Sequence, residues 1–526
     1  MSVKKNGRNT GKSAKLEVIF MTPAEFFQKM KRGIKREYLI ILLSTFLFGL
    51  AAHAYKFLNI LPNYDSLESL YYSQNTIHLG RCFLVLGCGI SSFYDIPWVI
   101  GILSLFYIAL SVICITELLQ IRKTLSLVLA SGLIVTFPAV TNTFTFLFTA
   151  DGYFLAMFLA MLAVLLASRE RKWVFPAALC ICFSFGMYQS YVLMAIVLTL
   201  LFAAKSILVD ELTLKELSAP LRRIFLAGLT GTVLYYISYQ VLLKLENVAL
   251  SDYNGLSSMS IHNLPNPLDA IYNCIHDFLF FFFYSENGFS LYTALNVVMV
   301  VILAVVLLSL CLKKWKRLGA GRILFSLLCL LCMPFCIYFY YFISDVDYHT
   351  IMLESIVLIF LMLVLLLEHA EQLPKFRLCT QWTCLILVSL MIYNLILLAN
   401  IVYTGMHNSY ERSMAVINRM ADRMEQLPDY VSAEKLAIIG DLPDSRETIH
   451  NYPPDLSGTV PGYVMRIQPN YRDMLRNYNN IVLENVTDEE LECVLNTEEY
   501  RSMTVWPASG SVAIIDRTVV IKLSEP

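Results

Sequence analysis

The chain has 526 residues, 57% hydrophobic and only 15% charged, with a formal net charge of −1 at pH 7. Soluble domains carry roughly a quarter charged residues, so the composition excludes an ordinary soluble protein and predicts an all-α polytopic membrane protein. A near-neutral balance gives no footing for nucleic acid. Thirteen scattered cysteines without regular spacing argue against a disulfide framework or a zinc site.

In chain order, residues 1–37 form a polar basic segment, which predicts a cytoplasmic N-terminus and no cleavable signal peptide. A helix needs about 20 apolar residues to cross the hydrocarbon core. Eleven stretches are read as spans: 38–57, 96–118, 124–141, 153–168, 173–187, 191–209, 222–243, 291–312, 322–343, 350–368 and 379–403. The fifth is short and carries Pro176 and Gly186. With the N-terminus inside, the cytoplasmic segments hold 26 Lys and Arg, while the outer loops before residue 404 hold only Lys56, Arg81 and Lys244. That asymmetry sets the orientation by the positive-inside rule. It divides the chain into a transmembrane domain over 38–407 and an extracytoplasmic α/β domain over 408–526.

The tail contains a helical stretch, "ERSMAVINRMADRMEQL", a strand and turn in "KLAIIGD", and a hairpin in "SVAIIDRTVVIKL" with Asp516-Arg517 at its tip. Pro453-Pro454, Trp506-Pro507 and Gly510 read as turn and packing elements. The tail shows no nucleophile motif, phosphate loop or metal spacing. It is expected to pack over the outer loops and help hold an acceptor.

The polar residues collect on the outer side. "PNYDSLESLYYSQNTIHLGR", Pro62–Arg81, places Asp65, Glu68, His78 and Arg81 in the first loop, with Tyr71, Tyr72 and Gln74 beside them and Asp95 at its end. "ADGY" holds Asp151, "GMYQSY" holds Tyr188 and Gln189, "SDVDYH" holds Asp345, Asp347 and His349, and Glu354 follows one turn into the tenth span. Ionisable groups near a bilayer are costly unless they pair or serve a site. Each also has a plainer role. Asp65 suits the cap of a helix over "SLESLYYSQNTI". Arg81 suits snorkelling to headgroups, Asp151 a solvated turn, and Tyr188-Gln189 helix packing. Alternating acids in "DVDYH" are more often solvated than metal-bound, and Cys329, Cys332 and Cys336 more often pack than ligate.

Taken together, the acidic first loop ending in "GR", the "ADGY" and "GMYQSY" turns, "DVDYHT" and the tail motifs resemble the bacterial polytopic glucosyltransferases, whose type members are serotype-converting O-antigen enzymes. The resemblance implies a GT-C-type fold and transfer of a sugar, glucose in the type members, from a polyprenyl-phosphate carrier to an envelope polysaccharide outside the bacterial inner membrane. Its partners would be that lipid-linked sugar, the glycan acceptor, a flippase and the glycosyltransferase that makes the donor. It points to Asp65 as the functional acid, with Glu68 and Asp151 as competitors, and to Arg81 at the first loop's arginine position.

Glycosyl transfer needs a base for the acceptor hydroxyl, for which a carboxylate suits. It needs positive charge at the leaving phosphate, where Arg offers a matched fork; His78 and His349 are further candidates there. The sugar hydroxyls are expected to meet Tyr71, Tyr72, Gln74, Tyr188, Gln189, Asp345 and Asp347. No cofactor is expected, with a divalent metal left open. "LDAIYNCIHDFLFFFFYSENGF" reads as an amphipathic or re-entrant helix. A lipid-linked glycan flippase or transporter, which would favour mid-bilayer charges and repeated halves, and a multi-span envelope acyltransferase are the alternatives.

Overall fold

The computed structural model describes residues 22–25, 28, 33–68, 71–248, 264–283, 291–344, 346–372, 377–442 and 462–525. Most of the basic N-terminal segment, Asp345 and Pro453-Pro454 therefore lie outside the described residues. The bundle begins with α1 (Arg36–Leu58) and a short α2 (Leu84–Cys88), followed by α3 (Pro97–Leu119). Pro97 suits the first turn of α3, where its missing N–H costs nothing. α4 (Thr124–Thr136) and α5 (Pro138–Thr145) meet at a bend of 41°. Pro138 supplies the cause, since it holds the preceding Phe137 in an extended conformation.

α6 (Leu147–Arg169), α7 (Val174–Met187), α8 (Ser190–Leu208) and α9 (Leu214–Glu246) complete the first half. α9 opens on a capping box in which Thr213 accepts from Glu216 N and the Glu216 carboxylate accepts from Thr213 N. The second half comprises α10 (Pro267–Phe283), α11 (Leu291–Leu318), α12 (Ala320–Leu331), α13 (Met333–Ile337), α14 (Val357–Glu368) and α15 (Arg377–Glu425). Among the described residues, eight helices are long and apolar enough to cross a membrane, or nine when the bent α4–α5 pair is one span. The protein is thus a multi-pass membrane protein. Every expected span has a helical counterpart. However, α7 and α14, at 14 and 12 residues, reach only about 21 and 18 Å at 1.5 Å per residue, short of a core of about 30 Å. The tenth is shorter than expected because residues 350–356 form two 3₁₀ turns, which place Glu354 before α14 rather than inside it.

The bundle has a basic end and a loop end. At the basic end Glu117 of α3 accepts from Lys35 (2.8 Å), Tyr38 (3.0 Å) and both terminal nitrogens of Arg122 (2.7 and 3.1 Å), with Arg169 at 3.5 Å. Lys205 pairs with Asp210, and Glu211 with Lys314 and Arg317. These contacts gather at one end the basic residues that the charge count assigns to one side. The loop end holds residues 59–96. There α2 lies on α6 through glycine: a Cβ added at Gly87 would stand 2.8 Å from Gly152 Cα. Small residues allow such close approach in membrane bundles, where packing rather than water exclusion drives association.

α10 is two-faced. Leu268, Ile271, Tyr272, Ile275, Leu279 and Phe283 form an exposed apolar row, while Ala270, Cys274 and Phe282 are buried. Its contacts run to α11, α13 and the Phe339–Phe342 turn, which fits the amphipathic reading.

α15 carries on without a break from the last apolar stretch into residues expected to open the tail, so the boundary at 408 falls inside one helix of 49 residues. After it, β1 (Lys435–Ile439), α16 (Gln468–Asn479), β2 (Glu484–Asn485), α17 (Asp488–Leu495), α18 (Glu498–Ser502), β3 (Val512–Ile515) and β4 (Thr518–Lys522) follow. The sheet order is β2-β1-β4-β3, with β1 parallel to both neighbours and β3–β4 antiparallel. Asp516 and Arg517, at φ 47° and 61°, make the hairpin tip, as the two-residue turns that match strand twist require. Val416, Ile417, Met420 and Met424 of α15 pack in one core with β1, α16 and β4.

Candidate active site

Among its described residues, the stretch expected as a helix, 66–77, does not form one. Asn63, not Asp65, is the cap: its side chain accepts from Asp65 N (3.1 Å) and Ser66 N (2.9 Å), while Ser66 Oγ accepts from Asn63 N (2.9 Å). The turn stops after one 3₁₀ step. Tyr71 instead bridges Tyr94 in antiparallel fashion, and Tyr72 N donates to Phe93 O. With capping assigned to Asn63, the exposed Asp65 carboxylate is left for other work.

The arginine turn is built from a 3₁₀ step at Ile77–Leu79 and Gly80, whose φ of 77° favours glycine. Its carbonyls are held from the helices: Gln189 Nε2 donates to Leu79 O (3.2 Å) and Tyr235 OH to Gly80 O (2.9 Å), while Phe83 N donates to Gly186 O (2.7 Å). Held this way, Arg81 turns inward rather than snorkelling. Its guanidinium carbon stands 5.6 and 5.5 Å from the ring centroids of Tyr153 and Tyr188, which stack on each other at 4.1 Å. Tyr191, 5.5 Å beyond Tyr188, continues this aromatic column.

Asp65 faces two cations, Arg466 and Arg81. Desolvation by the surrounding protein pushes its carboxyl above the ordinary range, and the two arginines oppose that rise. Asp95 likewise sits high through burial, opposed by Lys56. Glu68 is exposed on the same loop. Asp151 differs in exposure: fully buried where α6 meets α2, it accepts from Gly152 N at 2.9 Å and faces Ser91 and Cys88. It is not the solvated turn residue of the plainer expectation.

Among the expected sugar contacts, Tyr72 stacks on Phe148 (4.7 Å) and Gln74 Nε2 donates to Phe148 O (3.2 Å), so both tie the loop to α6. Tyr71 is exposed beside Tyr94. Asp347 is exposed, and His349 precedes the 350–352 turn; Tyr348 between them accepts from Tyr340 N (2.8 Å). Tyr340 in turn faces Tyr188. His78 is half-buried on the arginine turn. The structure thus seats Arg81 on Tyr153 and Tyr188, sets Asp65 within reach of its charge, links Gln189 to Arg81 through the turn, and buries Asp151 against α2.

The tail packs over the first loop as expected, but through residues that the sequence did not single out. Arg466 lies 4.7 Å above the Tyr64 ring, Asn470 Nδ2 donates to Tyr64 O (3.0 Å) and Asn477 Nδ2 to Leu67 O (2.6 Å). Leu67 is buried in the tail core. Tyr478, whose hydroxyl is pushed up chiefly by burial, also faces Asp95 and Tyr72. Lone polar residues some 400 positions from their partners carry no local signal.

One end of this multi-pass helical bundle thus carries an exposed carboxylate, an inward arginine and an aromatic column. Residues 54–352, more than half the chain, match the family described as Glucosyl transferase GtrII, and the chain belongs to that family. It is accordingly a glycosyltransferase. No curated protein and no solved structure matches it. The matched residues include Asp65, Arg81, Asp151, Tyr188 and Gln189 and end before the tail.

Proposed function

We propose that this enzyme is a GT-C-type glucosyltransferase of the bacterial inner membrane, working at the extracytoplasmic face. Its donor would be a polyprenyl-phosphate-linked glucose and its acceptor an envelope polysaccharide of the O-antigen kind. The basic end faces the cytoplasm on this reading, in keeping with the positive-inside rule, and the tail lies outside.

The observation that carries the reading is the seating of Arg81 on Tyr153 and Tyr188 at the loop end, with the Asp65 carboxylate within reach of its charge. Asp65 takes the proton of the acceptor hydroxyl as that oxygen attacks the anomeric carbon. The anomeric C–O bond breaks as the new glycosidic bond forms, and its electron pair leaves with the lipid phosphate. Arg81 receives the phosphate oxygens, its guanidinium oriented by Tyr153 and Tyr188. This single displacement inverts the anomeric centre.

The test is transfer in detergent from synthetic undecaprenyl-phosphate-glucose to purified O-polysaccharide, with the linkage read by mass spectrometry and NMR. New glucosyl branches of inverted configuration are expected. Transfer only from a nucleotide sugar would overturn the donor assignment.

A further inference from the structure

We propose that Arg466 is a positioning residue of the transfer site, holding the Tyr64–Asp65 turn in its working place from the tail. The inference rests on the reading of Asp65 as base. Three independent contacts converge on this turn from the tail. The Arg466 guanidinium covers the Tyr64 ring at 4.7 Å, and Asn470 and Asn477 bond the carbonyls of Tyr64 and Leu67 at 3.0 and 2.6 Å. Leu67, only 1% exposed, is locked into a core that is otherwise made by the tail and α15. The turn is thus held from the tail, as the Ile77–Arg81 turn is held by Gln189 and by Tyr235 of α9.

Arg466 adds charge as well as shape. The segment before α16 contributes Arg466 to Asp65, and the arginine turn contributes Arg81. Arg472 and Asp473 of α16 are paired with each other at 2.7 Å, and Glu68 lies on the loop itself. Both cations favour the ionised carboxylate that a base requires, against the desolvation that raises its pKa. A tail that places one of them therefore helps set the pH at which the base is ready.

The sign of the test follows. In Arg466→Gln one opposing cation is lost, so the Asp65 carboxyl titrates higher and the acid limb of kcat/KM moves up. Full-length enzyme in the undecaprenyl-phosphate-glucose assay should lose about tenfold near pH 5.5 and less than threefold near pH 8, with donor KM little changed. Arg466→Lys, which keeps the charge, should restore most of the acid-side rate. Tyr64→Leu, which removes the ring under the guanidinium, should move the limb in the same direction. The exposed Arg501→Gln serves as control and should match the parent.

Asp65→Asn is run alongside. If it is inactive while Arg466→Gln and Tyr64→Leu keep the parent's pH profile, the positioning role is overturned and the base assignment stands. A uniform loss at all pH values, unrepaired by lysine, makes Arg466 merely structural and also overturns it. If Asp65→Asn still transfers, the base assignment falls and this inference falls with it.

Discussion

At the scale of single residues, the arrangement separates two carboxylates that the sequence left as rivals. Asp65 is open and faces two arginines, while Asp151 is enclosed against Gly152, Ser91 and Cys88. Asp65→Asn, which keeps size and removes the base, is expected to cut kcat by about 10²-fold or more while donor binding survives; single-turnover transfer and donor titration read the two separately. Because the protein around the solvent-reachable Asp65 carboxyl still displaces part of its water and so raises it, the parent's kcat/KM should rise with pH through a limb above the ordinary aspartate range, and a pH series checks this. Arg81→Lys keeps the charge but loses the planar fork and its seat on Tyr153 and Tyr188. Donor KM should rise about tenfold, with Arg81→Ala weaker still; a fully active lysine variant would reduce Arg81 to a point charge. Arg81 was legible because an arginine after glycine in a polar loop is conspicuous in so apolar a chain. Asn63 was not recognised as the cap, since three polar candidates share that turn and only the backbone conformation chooses among them.

Among the elements, those whose signal is local were readable and those made by distant contacts were not. The hairpin around Asp516-Arg517 follows from alternation and a two-residue turn, and β1 from its apolar run before Gly440. The continuity of α15 was hidden because hydropathy falls after residue 403 while helical periodicity does not, and a boundary placed by composition cuts a helix that the backbone does not end. The α2–α6 contact was equally hidden, because a glycine says nothing of its partner until the helices are packed. A methyl group at Gly87 meets the backbone of Gly152, which cannot turn aside as a side chain can. Gly87→Ala should therefore cost about 1–3 kcal/mol through overpacking. Thermal unfolding in detergent should show the lower midpoint. Transfer should fall too, since α2 begins three residues after Arg81.

For the molecule as a whole, the charge asymmetry and the gathering of basic residues around Glu117, Asp210 and Glu211 agree on one basic end, which the proposed orientation puts in the cytoplasm. A cysteine in place of the exposed Ser509 should then react with a membrane-impermeant thiol reagent in spheroplasts, against a background variant lacking the exposed Cys379 and Cys493. Labelling only after lysis would reverse the assigned orientation. The general architecture could be read from hydropathy alone, because lipid imposes one simple length rule on every span. How the tail meets the first loop could not, for it depends on two surfaces complementing each other across the whole chain.

At 1.5 Å per residue α15 is about 73 Å long, more than twice the thickness of the hydrocarbon core, and no proline interrupts it. A rod of this kind transmits rotation as well as height. Each residue turns the helix by about 100°, so one residue added between the apolar part and Ser413 would swing α16 around the axis and carry Asn470 and Asn477 away from the first loop. Four added residues would nearly restore the angle yet lift the tail by about 6 Å. The chain length between the lipid-embedded part and the tail is therefore a phase setting, and the enzyme's two halves are geared to one another like parts on a common shaft.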